Sequence, residues 1–282
     1  RVLERSVAGS AGPGAPPMLG RAIRHSVFPG GARVRPKLCV AVAAACGEGR
    51  DIEAASGAGA ALELMHCASL VHDDLPAFDG AAIRRGKPSV HAAYGEAIAV
   101  LAGDALIVMA FETLLRECRA SPQALAPLMA ILINAVGTPR GIVAGQAWES
   151  EPVLDLSAYH QAKTGALFVA ASMAGAAAAG LDPAPWRALG ERLGEAYQVA
   201  DDLRDVLLDE DELGKPAGQD ASHLRPNAVQ NFGVAGAITR LKGLIAGASD
   251  SIPDCAGAPM LRDIVHGQSA RLMPQSLLRN VA

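Results

Sequence analysis

Two acidic groups set the chemistry open to this chain. The first, His72-Asp73-Asp74-Leu75-Pro76-Ala77-Phe78-Asp79, runs into the basic stretch Arg84-Arg85-Gly86-Lys87-Pro88. The second, Asp201-Asp202-Leu203-Arg204-Asp205, follows more than a hundred residues later. Pro76 cannot continue a helix and disfavours helical geometry in the residue before it, so Asp79 is free to fold back toward Asp73. Asp201 and Asp205 stand at i, i+4 on one helix face, where like charges repel by roughly a few tenths of a kcal/mol when exposed and by more when buried. A cation is the natural remedy at both places. Hard oxygen ligands of this kind suit Mg²⁺, which takes one or two carboxylates together with water and substrate phosphates. Arg84, Arg85 and Arg204 could also neutralise these acids as ordinary ion pairs, so each group taken alone reads equally well as a solvated turn.

Other polar residues stand out against apolar surroundings. Phe28-Pro29-Gly30-Gly31-Ala32-Arg33-Val34-Arg35-Pro36-Lys37 places a glycine pair and three cations at the mouth of an apolar run. Glycines let a backbone approach a ligand, and arginines fork onto phosphate oxygens. His66 lies two helical turns before Asp73 and shares its face, with Met65 and Ser69 on the neighbouring stripe. Gly145-Gln146-Ala147-Trp148-Glu149 and Lys163-Thr164-Gly165 put polar groups into apolar helices, where each needs a partner or costs about 1–3 kcal/mol. Gln146 and Lys163 are expected to bond each other or a ligand. Gln198 precedes the second acidic group, and Lys215 sits in a polar loop after it.

The elements that must position these groups read as helices. Half of the 282 residues are apolar and only 4% are aromatic, with Ala and Gly throughout. That suits helices packed through small side chains better than a sheet of β-branched and aromatic residues. The periodicity and breaks predict helices over 51–71, 96–115, 122–136, 156–181, 186–200, 224–249 and 258–278, with a short leading helix before a Pro/Gly-rich loop at 9–17. A chain of this length can bury one large core.

Composition narrows the function. A net charge of −4 and the lack of any long basic run argue against a nucleic-acid stripe or a polybasic membrane patch, leaving a small substrate. Five cysteines without a CxxC pair predict free thiols in a cytoplasmic compartment rather than a disulfide framework or zinc site. The start at Arg1, with no charged-then-apolar leader, reads as a trimmed N-terminus. The least polar stretch, 165–181, is read as a helix buried in protein and not a membrane span. Two facing carboxylate groups, scattered cations, an apolar interior and no Ser-His-Asp spacing fit Mg²⁺ clamped on a diphosphate. The apolar cavity would keep water from a carbocation.

These residues resemble the trans-isoprenyl diphosphate synthases. Asp73-Asp74-x4-Asp79 is similar to the first aspartate-rich motif of that family in its bacterial form, and Asp201-Asp202-x2-Asp205 to the second. Between and around them, Gly-Gly-x-Arg, His66, Arg84-Arg85-Gly-Lys-Pro, Lys163-Thr164-Gly, Gln198 and Gly214-Lys215 follow in the family's order. The wording near Phe28 and Gly145 is most similar to geranylgeranyl diphosphate synthases of photosynthetic purple bacteria. The resemblance implies an all-α fold, a single large helical bundle of the isoprenoid synthase type with a central cavity, and one polyprenyl synthase domain over 1–282. It implies that Asp73, Asp79, Asp201 and Asp205 hold about three Mg²⁺ on an allylic diphosphate also touched by Arg84, Lys163 and Lys215. Isopentenyl diphosphate would rest on Arg35, His66 and Arg85, while Lys163, Thr164 and Gln198 face the allylic cation. Shorter-product members carry a bulky aromatic where this chain has Ala68, so Ala68, Ser69 and Met65 would set product length and favour C20 over the C15 of a farnesyl diphosphate synthase. A homodimer is also implied.

One position departs from the family. Ala32 stands where most members have lysine, which leaves Arg33, Arg35 or Lys37 to compensate. The rival readings are a class I terpene cyclase, which needs no second diphosphate site, and a non-catalytic partner subunit, which could lose one acidic cluster.

Overall fold

In the computed structural model of the chain, residues 1–28, 31–47, 52–153, 155–207 and 228–270 are described. The order is α1 (Val2–Ala8), α2 (Pro17–Val27), α3 (Val34–Cys46), α4 (Ile52–Asp73), α5 (Val90–Tyr94), α6 (Glu96–Glu117), α7 (Pro122–Val136), α8 (Ile142–Ala147), α9 (Leu156–His160), α10 (Ala166–Ala178), α11 (Arg187–Leu207), α12 (Ala228–Asp250) and α13 (Ala258–Ala270). Asp51, expected to start the α4 helix, and 271–278, expected to end the last one, lie outside the described residues. The Pro/Gly stretch before α2 holds a short 3₁₀ turn, Gly9–Ala11. The predicted 156–181 helix is not uniform, because a π-turn at Gln161–Gly165 joins α9 to α10.

α4 is the central rod. It buries residues on every side, from Ala54 to Val71, and packs against α3, α6 and α10. α10 fills the next position, with Ala170, Ala171, Ala174 and Ala176 through Ala178 buried between α3, α7 and α11. Runs of alanine and glycine permit this close approach, and the helical propensity of alanine keeps the rods regular. One apolar core joins α1–α7, α10 and α13 and takes in Leu189 of α11 and Ala248 of α12, whereas a smaller one sits between α11 and α12, with Ala196, Val199, Ala200, Leu203, Ala237, Leu241 and Ile245. α4 and α6 are each long and apolar enough to cross a bilayer by length and composition. α4 is enclosed by protein, while α6 turns Leu101, Val108 and Leu115 outward.

A two-residue hairpin interrupts the helical pattern. β1 (Ile83–Arg84) pairs antiparallel with β2 (Lys87–Pro88), Arg84 standing opposite Lys87. Arg85 and Gly86 both have positive φ, 55° and 71°. That is the pattern of a type I′ turn, whose twist matches the flanking strands.

Candidate active site

A cavity of about 850 Å³ opens between α4, α8, the π-turn and α11. Residues of α4 line it in helical register: Met65, His66, Ala68, Ser69, His72 and Asp73. Met65 and Asp73 are eight residues apart, roughly 12 Å along a helix, so the acid stands at one end and the methionine well down the wall. Ile107, Val136, Ile142 and Leu167 add apolar lining.

The first acidic wall forms where α4 stops. The Asp79 N–H donates to the Asp73 carbonyl at 3.0 Å, closing the turn after Pro76. Carboxylate oxygens of Asp73, Asp79 and Glu149 lie within 4.8 Å of one another. The Lys163 ammonium reaches this group, 3.5 Å from Asp73 and 2.5 Å from Glu149, and Arg84 lies 3.9 Å from Asp73. Burial pushes the Asp73 pKa upward, Lys163 and Arg84 oppose that, and Asp79 and Glu149 add to it. Asp73 and Asp79 are half-buried hard-oxygen ligands of the kind that fit a divalent cation, whereas both oxygens of Glu149 already accept from Gln146, Tyr159 and Lys163. Asp74 has a different task. It is 2% exposed and receives Arg84 Nε at 3.0 and 3.2 Å as well as Nη2. Burial alone would lower the Arg84 pKa, but the bonds to Asp74 and the charges of Asp73 and Asp79 carry it above the ordinary value.

The second wall lies on α11. Asp201, Arg204 and Asp205 line the cavity, and Arg204 Nη1 donates to Asp201 at 2.8 Å. Asp202 is 3% exposed and accepts the Gln198 amide at 2.9 Å and the Ala228 N–H, at the start of α12, at 2.8 Å. The Thr164 hydroxyl donates to Gln198 Oε1 at 2.9 Å. A hydrogen-bonded chain therefore links the π-turn through Gln198 and Asp202 to α12, and each bond fixes the next donor.

A third group surrounds Arg35. Its guanidinium is buried, 4.6 Å from the Phe168 ring centre and 5.8 Å from that of Tyr197, and Nε has no hydrogen-bond partner among the described residues. Burial lowers its pKa, while Tyr197, Glu63 and Asp201 resist that change. An unpaired buried guanidinium nitrogen costs free energy until an anion meets it. His66 is held neutral, its pKa depressed by burial first and then by Arg35, Arg85, Arg84 and Arg33. A Cβ at Gly31 would come within 2.9 Å of the Arg85 guanidinium carbon, so the glycine makes room for that arginine. Cation–aromatic stacking, a neutral imidazole and a second arginine are suited to a second phosphate group.

The profile of the family described as Polyprenyl synthetase matches residues 16–250. The chain belongs to the polyprenyl synthetase family. It is 54% identical over 276 residues to a geranylgeranyl diphosphate synthase of Cereibacter sphaeroides, covering 98% of this chain and 96% of that one. A geranylgeranyl diphosphate synthase of Rhodobacter capsulatus is 54% identical over 259 residues, 92% of this chain and 89% of that one. The crystal structure of a Helicobacter pylori geranyltransferase complexed with magnesium and isoprenyl diphosphate aligns at a TM-score of 0.78 and 29% identity, covering 96% of this chain and 95% of that one.

Within this polyprenyl synthetase, Arg35, Met65, His66, Ala68, Ser69, Asp73, Asp79, Arg84, Arg85, Lys163, Thr164, Gln198, Asp201 and Asp205 all line one cavity. Lys215 lies outside the described residues. Two expectations change. Gln146 and Lys163 do not bond each other; both donate to Glu149, at 3.1 and 2.5 Å. Arg33 is not spare for a substrate, because it is committed to Glu63 at 2.5 Å and to the Val27 carbonyl. Lys37 is exposed and does not line the cavity, so Arg35 is the one of the three compensating cations that reaches it. Glu149 is the site residue that sequence reasoning missed. Its signal was an acid three residues after Gln146 in a region with two unexplained polar side chains.

Proposed function

We propose that this polyprenyl synthetase joins isopentenyl diphosphate head to tail onto an allylic diphosphate of C5, C10 or C15 and stops at geranylgeranyl diphosphate. The observation that carries this reading is one cavity with two acidic walls, a separate buried cation site at Arg35, and an apolar floor. Asp73, Asp79, Asp201 and Asp205 are the residues we assign to about three Mg²⁺. When bound there, the metal supplies Lewis-acid stabilisation of the departing diphosphate. Arg84 and Lys163, joined by Lys215, neutralise the same group. The allylic C–O bond breaks and its electron pair leaves with the diphosphate. Oxygen atoms at Lys163, Thr164 and Gln198 face the allylic cation, and the apolar walls keep water away. Isopentenyl diphosphate, held by Arg35, His66 and Arg85, attacks through its terminal alkene carbon, and the released diphosphate takes the final proton.

A C20 product follows from the floor. Ala68 and Ser69 are small, both line the cavity, and Met65 lies about one turn beyond them. The test is incubation of the purified protein with labelled isopentenyl diphosphate and each allylic starter, with and without Mg²⁺. The expected result is metal-dependent growth to C20 and, for Ala68→Tyr, a shift toward C15. No metal-dependent elongation of any starter overturns the activity, and undiminished C20 from Ala68→Tyr overturns the account of length.

We further infer a cytoplasmic homodimer built from one domain over 1–282. The five cysteines are free thiols, in keeping with a reducing compartment. The outward face of α6 supports the dimer: Leu101, Val108 and Leu115 recur at seven-residue spacing, with Asp104 and Glu112 exposed nearby. Such a stripe suits a helix seam better than a bilayer. Light scattering should give twice the chain mass, and Val108→Glu should lower it; a monomeric parent protein would refute the dimer.

A further inference from the structure

Glu149 sits in the 3₁₀ turn Trp148–Ser150 and draws donors from three elements. Gln146 on α8 donates to Oε2 at 3.1 Å, whereas the Tyr159 hydroxyl on α9 and the Lys163 ammonium of the π-turn both donate to Oε1, at 2.6 and 2.5 Å. Two neutral donors thus hold the carboxylate in place, and its charge is directed at the ammonium. The Tyr159 ring centre is also 5.8 Å from Nζ. The backbone end of Lys163 is held as closely, since a Cβ on Gly145 would stand 2.4 Å from the Lys163 nitrogen. Lysine is a point charge on a flexible stem and goes to whichever carboxylate is nearest. Among the described residues, the other acid within 4 Å of the ammonium is Asp73, at 3.5 Å. An ammonium resting fully on Asp73 would compete with a divalent cation for the same oxygens.

We propose that Glu149 is a positioning residue that holds the Lys163 ammonium back from Asp73, leaving Asp73 open to a divalent cation and Lys163 turned toward a diphosphate. The inference rests on the diphosphate chemistry proposed above and adds a residue to it. Glu149 acts through Lys163 and not as a metal ligand. The two roles separate in a double-mutant cycle, because a residue acting through Lys163 has nothing left to do once Lys163 is gone.

The experiment measures Mn²⁺ binding by electron paramagnetic resonance in the presence of inorganic pyrophosphate. It uses the parent protein, Glu149→Gln, Lys163→Met and the double variant. Glu149→Gln is expected to weaken Mn²⁺ binding about tenfold, which is 1.4 kcal/mol, while in the Lys163→Met background the same change should cost less than about twofold. Tyr159→Phe, which frees one anchor of the carboxylate, should weaken binding in the same direction by a smaller factor, and it serves as the single variant if Glu149→Gln does not fold. An equal loss from Glu149→Gln in both backgrounds would mark a metal ligand and overturn the proposal, as would no loss in the Lys163 protein. A parent protein that binds no Mn²⁺ with pyrophosphate would instead overturn the diphosphate reading itself.

Discussion

Asp73-Asp74 and Asp201-Asp202 are the same dipeptide at the mouth of the same cavity, and each divides its work in the same way. The first acid of each pair faces the cavity; the second is buried. The grip of the buried acid differs. Asp74 holds a guanidinium, Arg84, which itself borders the cavity, whereas Asp202 holds a neutral amide and the first N–H of α12. The backing differs too. α4 behind the first wall belongs to the main core, while α11 behind the second rests partly on the small cluster shared with α12. Asp73 is 14% exposed and Asp201 43%. The first wall is therefore the more enclosed, its buried acid tied to a charged partner, and the second the more open, its buried acid tied to neutral donors while Arg204 pairs with the exposed Asp201.

Four measurements press on this asymmetry. Asp73→Asn should lower turnover by about a thousandfold and Asp201→Asn by about a hundredfold, because charge placed in the more enclosed site is worth more. Equal losses in steady-state assays at saturating Mg²⁺ would erase the distinction. In urea unfolding without metal, Asp74→Ala should cost about 3 kcal/mol by taking from the half-buried Arg84 guanidinium its bidentate partner, and Asp202→Ala about 1–2 kcal/mol by leaving neutral donors unmet; the reverse order would break the comparison. Away from both walls, Ala32→Lys should lower the Michaelis constant for isopentenyl diphosphate about threefold, the worth of one exposed charge pair, and leave that for the allylic substrate alone. An unchanged constant would mean that Arg35, His66 and Arg85 suffice.

A last effect concerns pH. The folded pKa of His66 lies below its unfolded value, so the unfolded chain binds more protons as pH falls below about 6.5 and stability drops in that window. Asp73 and Asp74, raised by burial, act in the opposite sense: they favour folding at low pH and lose that contribution as pH rises through their folded values. Comparing His66→Gln with the parent cancels the carboxylates. The variant should lack about 1 kcal/mol of the destabilisation seen between pH 7.5 and 5.5; identical pH profiles of the melting temperature would show that His66 is not held neutral.

Much of this arrangement is legible along the chain because it is local. The end of α4 near Pro76, the helical register of Met65, His66, Ala68 and Asp73, and the limits of α7 all follow from neighbours within a few residues. α2, the hairpin and the π-turn are less so, since short elements carry too few periods to announce themselves. Arg33 and Arg35 look interchangeable in the sequence. Only packing decides that Arg33 meets Glu63, although a lone acid between Leu62 and Leu64 already asks for a buried cation. Glu149 was hidden for the same reason: its three donors converge from α8, α9 and the π-turn, and no spacing rule covers that meeting.

The π-turn at Gln161–Gly165 also acts as a register shift. It widens the coil by one residue over a single turn, so Lys163 and Thr164 face the cavity while α10 keeps its alanine face on the core. Deleting one residue there would restore a regular α-helix and rotate everything beyond it by roughly 100°. Phe168 would leave Arg35, and at the seam with α3 an alanine would take the place of Gly175, where a Cβ comes within 2.5 Å of the Cys39 carbonyl oxygen. An enzyme of this shape tolerates many substitutions in the segment more easily than one deletion, because what the π-turn conserves is a count of residues.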